Sequence, residues 1–335
     1  MVRFLITRII GAIVVVFVVS VVTFLLFQLP TLVTHTSPVY YYIGKIPFPP
    51  DSLQFKALEH RFGFDQPLWV QYGTFLKNIF GTTITDGTSS PVQCPFPCFG
   101  YSFRQNQLVS DLLGQALPVS ISLCVGAAVL WLIAGVTIGT FSALKPGSAV
   151  DRLGMGASLT AVSLPIFFTG PLLLLIFEYT LGWLPNPSYA PITENPLQWL
   201  QSMILPWVAL AFLFAALYAR LTRSNMLETM GEDYIRTARA KGLTRRTVVV
   251  RHGLRSALTP IVTIFGIDIG QLIGTTVITE QVFNLRGLGN LTLTGISQQD
   301  LPVIQGVTIF AAVVLVVANL IVDILYAFID PRVTV

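Results

Sequence analysis

Apolar residues in this chain fall in long unbroken runs rather than in alternating or helix-spaced stripes. Stretches without any charged residue cover 9–29, 112–144, 153–177 and 195–219. Two more are nearly clean: 256–279, interrupted by Asp268, and 301–329, interrupted by Asp323. A hydrocarbon layer about 30 Å thick needs about 20 apolar residues in a helix, so each stretch is long enough to hold one crossing. The pattern predicts six spans. Pro196 and Pro206 leave the start of the fourth open. Arg3 and Arg8 before the first run resemble the head of a signal peptide. The apolar core is too long for one, however, and no small-residue cleavage site follows Leu29, so a retained span is expected.

Composition agrees with this. Of 335 residues only 11% are charged, against about a quarter in soluble domains, and 53% are hydrophobic. The mean hydropathy is +0.72. Disorder and an ordinary water-soluble domain are excluded. The formal charge of +4 matters mainly through where the cations lie. With the N-terminus inside, fourteen Lys and Arg fall in cytoplasmic segments, nine of them between Arg220 and Arg255, and six fall outside. The expected fold is an all-α polytopic membrane protein with six transmembrane helices and both termini cytoplasmic. Its parts are an N-terminal helix at 1–29, a small extracytoplasmic subdomain at 30–110, and a five-helix core at 111–335 with a cytoplasmic loop at 231–255.

The outer segment is too polar and proline-broken to be embedded, and helical signals occur at 52–62 and 72–79. It contains Cys94-Pro-Phe-Pro-Cys98. A local disulfide is the leading reading, because the expected compartment is oxidising; it would close a very small loop and stabilise only locally. A metal site would need further ligands, and the neighbouring sequence supplies no His. Cys124 sits in an apolar run and reads as packing. No GxxxxGK[ST], HExxH or GxSxG motif occurs, nor any fixed-period repeat. The chain is therefore expected to be non-catalytic, with any energy for transport coming from a partner or an ion gradient.

The most informative segment runs from Gly231 to Arg246. Glu232 and Asp233 stand where a helix N-terminus favours negative charge, and Arg239 and Lys241 where its C-terminus favours positive. Gly242 suits the left-handed position after the helix. Thr244 suits the cap of a second helix leading toward span five. Ile235, Ala238 and Gly242 recur at i, i+3 and i+7, so one face is small and apolar and the other basic. Two readings stand side by side: a helix lying on anionic headgroups, or a rigid knob that docks into a cytoplasmic partner.

The stretch Asp233-Tyr234-Ile235-Arg236-Thr237-Ala238-Arg239-Ala240-Lys241-Gly242-Leu243, followed by Arg251-His252-Gly253-Leu254, resembles the coupling loop of bacterial ABC importer permeases. The general pattern of that loop is Glu-Ala-Ala, three residues, Gly, nine residues, Ile-x-Leu-Pro. Here Arg236 replaces Glu, Thr237 the first Ala, His252 the Ile, and Arg255 the Pro. The form present is similar to the dipeptide/oligopeptide (and nickel) permease branch. So are Asp65-Gln66-Pro67-Leu68, Lys145-Pro146-Gly147-Ser148, Leu181-Gly182-Trp183-Leu184-Pro185, Glu280-Gln281-Val282-Phe283 and Asp330-Pro331-Arg332, in that order.

The resemblance implies a multi-pass bacterial inner-membrane subunit working beside a second, similar permease. It also implies two cytoplasmic ABC ATPases, which bind the ATP and Mg, and an extracytoplasmic substrate-binding protein. No cofactor is expected in this chain and no nucleic-acid partner. Asp233, Tyr234, Ile235, Arg236, Ala238, Arg239, Lys241, Gly242 and Leu243 would contact the ATPase. Glu280 and Arg286, beside an outer Gly-rich turn, would meet the binding protein. Peptides are the implied cargo; a nickel chelate or haem-like cargo fits the same architecture.

Span five adds two opposed stripes. At about 100° per residue, Gly266, Gly270 and Gly274 fall on one side and Asp268, Gln271, Thr275 and Thr279 on the other. The polar side either pairs with neighbouring helices or lines a passage. A carboxylate at mid-bilayer costs about 2.5–3.5 kcal/mol on insertion scales, so Asp268 needs a partner or a cavity. In span six, Gln305, Asn319 and Asp323 share a broad face, and Asp323 reads as structural. An ion-driven secondary transporter working through Asp268 and Asp323 would pump as a lone chain, and a scaffold without a passage would leave the stripes of span five unexplained.

Overall fold

The computed structural model describes residues 2–34, 37–39, 49, 52–84, 91–185 and 189–329, without the side chains of 2–5, 30–34, 270, 271, 273–275 and 322–329. It divides into two compact units, 1–118 with 286–335 and 119–285.

In the first unit, helix α1 (Val2–Thr34) is exposed and apolar nearly all round, as a lipid-facing helix must be. It packs along α12 (Leu301–Ile329). Its polar positions find partners on the short helix α3 (Leu68–Ile79). Ser20 Oγ lies 2.9 Å from Tyr72 Oη, and Gln28 Nε2 donates to Gln71 Oε1 at 2.8 Å. Phe24 meets the Tyr72 ring at 5.3 Å. Helix α2 (Leu53–Phe62) is capped by Ser52, whose hydroxyl accepts from Phe55 N, and stops at Gly63 with φ +71°. Two antiparallel hairpins follow: β1 (Thr82–Ile84) with β2 (Val92–Cys94), and β3 (Tyr101–Ser102) with β4 (Gln107–Leu108). A disulfide joins Cys94 to Cys98, and Cys98 N donates to Ile79 O.

Helix α11 (Leu288–Gln298) ends in a left-handed Gln299, and Asp300 follows before α12. Asp300 is fully buried and accepts a hydrogen bond from Ser102 of β3. Burial pushes its carboxyl above the usual carboxylate range, against the pull of Ser102, the Val303 N–H and Arg104.

Helix α4 (Val109–Leu144) contributes 109–118 to the first unit and the rest to the second. Beyond it the second unit holds α5 (Ala149–Ser163) and α6 (Ile166–Leu173), which continues as a π turn over Leu174–Thr180. Then come α7 (Pro196–Gly231), α8 (Asp233–Ala240), the turn α9 (Arg245–Thr247), a π segment Val248–Leu254, and α10 (Arg255–Val282). The core is centred on Trp131, Met203, Tyr218, Leu272 and Phe283. The Trp131 ring stacks on Phe214 at 4.5 Å.

Glycines set the spacing of α4 and α7. A Cβ at Gly135 would fall 2.5 Å from Tyr218 Cβ, and one at Gly139 2.5 Å from Ala219 O. Asp151 locks the start of α5 to α7: Arg223 donates from Nε at 2.6 Å and Nη2 at 2.8 Å, and Gly147 N donates at 2.8 Å.

Two elements differ from the sequence expectation. The third apolar stretch is not one straight crossing: α5 and the α6 segment meet at 109°. Leu164 takes an extended conformation because Pro165 follows it, and the helix stops there. Five described helices are long and apolar enough to cross a membrane, or six if this bent pair is one span. The fourth helix begins at Pro196, with Asn195 accepting from Gln198 N, and runs 36 residues. At 1.5 Å per residue that is about 54 Å, well beyond the hydrocarbon thickness. Arg220 and Arg223 are therefore on a helix and not in a loop.

Gly139→Ala should destabilise the purified chain by about 1–3 kcal/mol, because the new methyl meets backbone that cannot yield. Gly156→Ala, with nothing within 4 Å, should be neutral or slightly stabilising; equal melting temperatures for the two variants would contradict the packing argument. Asp300→Asn should raise the melting temperature by a few degrees at pH 7.5. A raised native pKa means stability is present below the unfolded carboxyl pKa and lost as pH rises through the native one. The advantage of this neutral variant should therefore shrink as the pH is lowered through the raised native pKa, where the native carboxyl takes up its proton; an advantage that grows on acidification would contradict it.

Candidate functional site

Helix α8 is exposed over most of its length and carries strong charge. Glu232 ends α7 and precedes α8 in extended conformation, giving a sharp corner. Asp233 occupies the first turn, where the helix dipole favours it. It also pairs with Arg236 at 3.3 Å, and both side chains are solvated. At the other end Gly242 N donates to Arg239 O and Leu243 N to Ala238 O, closing the helix through Gly242 at φ +76°. Thr244 then caps α9, its hydroxyl accepting from Thr247 N at 3.4 Å.

The two faces of α8 divide differently from the expectation. Ile235 has no exposure and Ala238 is buried; both pack on Val248 and Met230 of the same chain. Their small apolar face is thus consumed internally, because the π segment Val248–Leu254 returns beneath the helix. A partner cannot reach these two. Outward stand Asp233, Tyr234, Arg236, Arg239, Lys241, Gly242 and Leu243, all exposed. Tyr234 and Leu243 keep 45% and 41% of their surface in contact with solvent, so the charged face also presents apolar surface.

On α10, Asp268 accepts a hydrogen bond from Tyr218 Oη at 2.7 Å, so this carboxylate has a neutral donor on α7. The side chains of Gln271 and Thr275 lie outside the described residues. Thr279 and Glu280 are corrected. Thr279 has no exposure and its Oγ1 finds no partner among the described residues, so it faces helix packing rather than an open passage. Glu280 is likewise fully buried and accepts from Ser120 Oγ at 2.7 Å, an internal tie from α10 to α4 that removes it from any docking surface. Arg286 is exposed. In α12, Gln305 is buried and Asn319 exposed, while the side chain of Asp323 lies outside the described residues.

Sequence reading misses Tyr218, Ser120, the Asp151–Arg223 clamp and the Ser102–Asp300 contact. Their partners are 50, 160, 72 and 198 residues away, and no local period signals such pairs.

Comparison with known proteins accords with this architecture. The family model described as "Binding-protein-dependent transport system inner membrane component" matches residues 135–335, and its N-terminal companion matches 1–124. A Brucella abortus (strain 2308) protein with a provisional peptide transport system permease name is 40% identical over 271 residues, covering 81% of this chain and 82% of that one. An oligopeptide transport system permease protein of Bacillus subtilis (strain 168) is 38% identical over 279 residues, covering 82% and 83%. A glutathione transport system permease protein of Salmonella typhimurium is 34% identical over 318 residues, covering 92% and 96%. The chain belongs to the binding-protein-dependent transport system inner membrane component family, the permease subunits of ABC importers.

Proposed function

We propose that this chain forms one half of the passage of an ATP-driven peptide importer and carries force from a cytoplasmic ATPase into the membrane. Relatives named for oligopeptide, dipeptide and glutathione transport support short peptides as the cargo class. A second, similar permease would complete the passage, and two ABC ATPases would hold the ATP and Mg. The excess of basic residues at alternate ends of the apolar stretches and in the segments joining them, fourteen against six, supports both termini and α8 on the cytoplasmic side. An extracytoplasmic binding protein would then meet the surface carrying Arg286.

The observation that carries the reading is the split character of α8. Its inner face is bolted to Met230 at the end of α7 and Val248 before α10, so the helix cannot slide independently of the two spans it joins. Its outer face offers Tyr234, Arg236, Lys241 and Leu243 for docking. Nucleotide-driven closure of the ATPases would therefore move α7 and α10 together, and Asp268, tied to Tyr218, lies between those two helices where access would switch.

Gly242 gives the test. The space around it is open, so only its left-handed backbone constrains substitution. In proteoliposomes holding the complete transporter, Gly242→Asn should keep most ATP-driven peptide uptake, since Asn tolerates that conformation. Gly242→Val carries about 1–3 kcal/mol of strain and should lower uptake at least about tenfold while the chain still inserts. Equal uptake by the Val variant would remove the docking role.

A further inference from the structure

We propose that the crevice behind α8 is a binding site for an anionic phospholipid, with the phosphodiester held by Arg239 and Arg245 and the start of an acyl chain against the end of α4. The crevice has a volume of about 470 Å³, within the range of ligand pockets. Ala143, Leu144, Met230, Val248 and Val249 make an apolar floor, and Arg239, Leu243 and Arg245, all exposed, complete the lining. No acidic side chain lines it among the described residues. Neither guanidinium forms an ion pair with a described residue, in contrast to Arg223 and Arg236 of the same unit.

Two unneutralised cations over an apolar floor call for a ligand with both an anion and a hydrocarbon part. A free phosphate would satisfy the cations and leave the floor wet; a neutral lipid would do the reverse. Position along the chain favours the lipid as well. Ala143 and Leu144 are the last residues of the apolar run of α4, immediately before Lys145, so the floor lies where that run gives way to polar chain. On the orientation proposed above this end is on the side of the cytoplasmic leaflet, which is anionic, and basic pockets between helices on that side bind such headgroups. The lipid would wedge between α4 and α8 and set how firmly the coupling helix is seated, a role beyond ATPase docking.

The test is native mass spectrometry of the complete transporter purified in detergent with equal phosphatidylglycerol and phosphatidylcholine. No bilayer side exists there, so the outcome is independent of orientation. The transporter should retain phosphatidylglycerol in preference to phosphatidylcholine. Arg245→Gln should weaken that retention about fivefold, the factor corresponding to about 1 kcal/mol per basic residue. Ala143→Phe, which fills the floor and leaves both charges, should also lower it. Gly242→Val should keep the lipid even where uptake is lost, which separates this site from the docking reading. Inorganic phosphate should not displace the lipid. Equal retention of the two lipids, retention unchanged in Arg245→Gln, or displacement by inorganic phosphate would each overturn the proposal. So would loss of the lipid from the complete transporter but not from the permease alone, since that would assign the crevice to the ATPase.

Discussion

The close contact of α4 with α7 is the constraint on which the second unit depends. Gly135 and Gly139 present no side chain, so the α7 backbone at Ala215 and Ala219 approaches to distances no Cβ would tolerate. In lipid there is little hydrophobic drive between helices, and such contacts replace it with dense van der Waals packing. Once α7 is placed, three ties hang from it in sequence: Tyr218 to Asp268, Arg223 to Asp151, and, at its end, Met230 beneath α8. Each is buried or half-buried, and each joins α7 to a different element. The helix is the spine of the unit, and α8 is packed against its end.

Helix α8 illustrates how one amphipathic pattern can be read with the wrong side outward. Its periodicity is plain in Ile235, Ala238 and Gly242, and so are its ends at Asp233 and Gly242. What periodicity cannot say is which partner takes the apolar face. That depends on the π segment Val248–Leu254, whose widened turn accommodates Gly253 against Met230 and brings Val248 under the helix. The apolar face thereby becomes internal, and the charged face, with Tyr234 and Leu243, is the one left for a partner.

Elsewhere, legibility follows range. Crossings are visible because each is a local run of apolar residues, and caps such as Ser52 and Asn195 sit beside the helices they begin. The break at Pro165 is equally local, yet the apolar residues on both sides hide it and make the two arms look like one span. Glu280 misleads for another reason. A charged residue at a helix end reads as surface, whereas Ser120 gives Glu280 an internal partner and turns it inward. Helix α11 and the two hairpins are short, carry mixed composition, and derive their stability from contacts such as Ser102 with Asp300, which no window of sequence contains.

The central claim is that α8 is a rigid lever with its inner face fixed to its own chain and its outer face gripped by an ATPase. Thiol-reactivity scanning along 233–243, with single cysteines in the assembled transporter and in the permease alone, tests it most directly. The account predicts that positions 234, 236, 241 and 243 react in the permease alone and are shielded when the ATPases are bound. Positions 235 and 238 should be unreactive in both. Reactivity at 235 and 238, or an outer face that reacts equally with and without the ATPases, would contradict it.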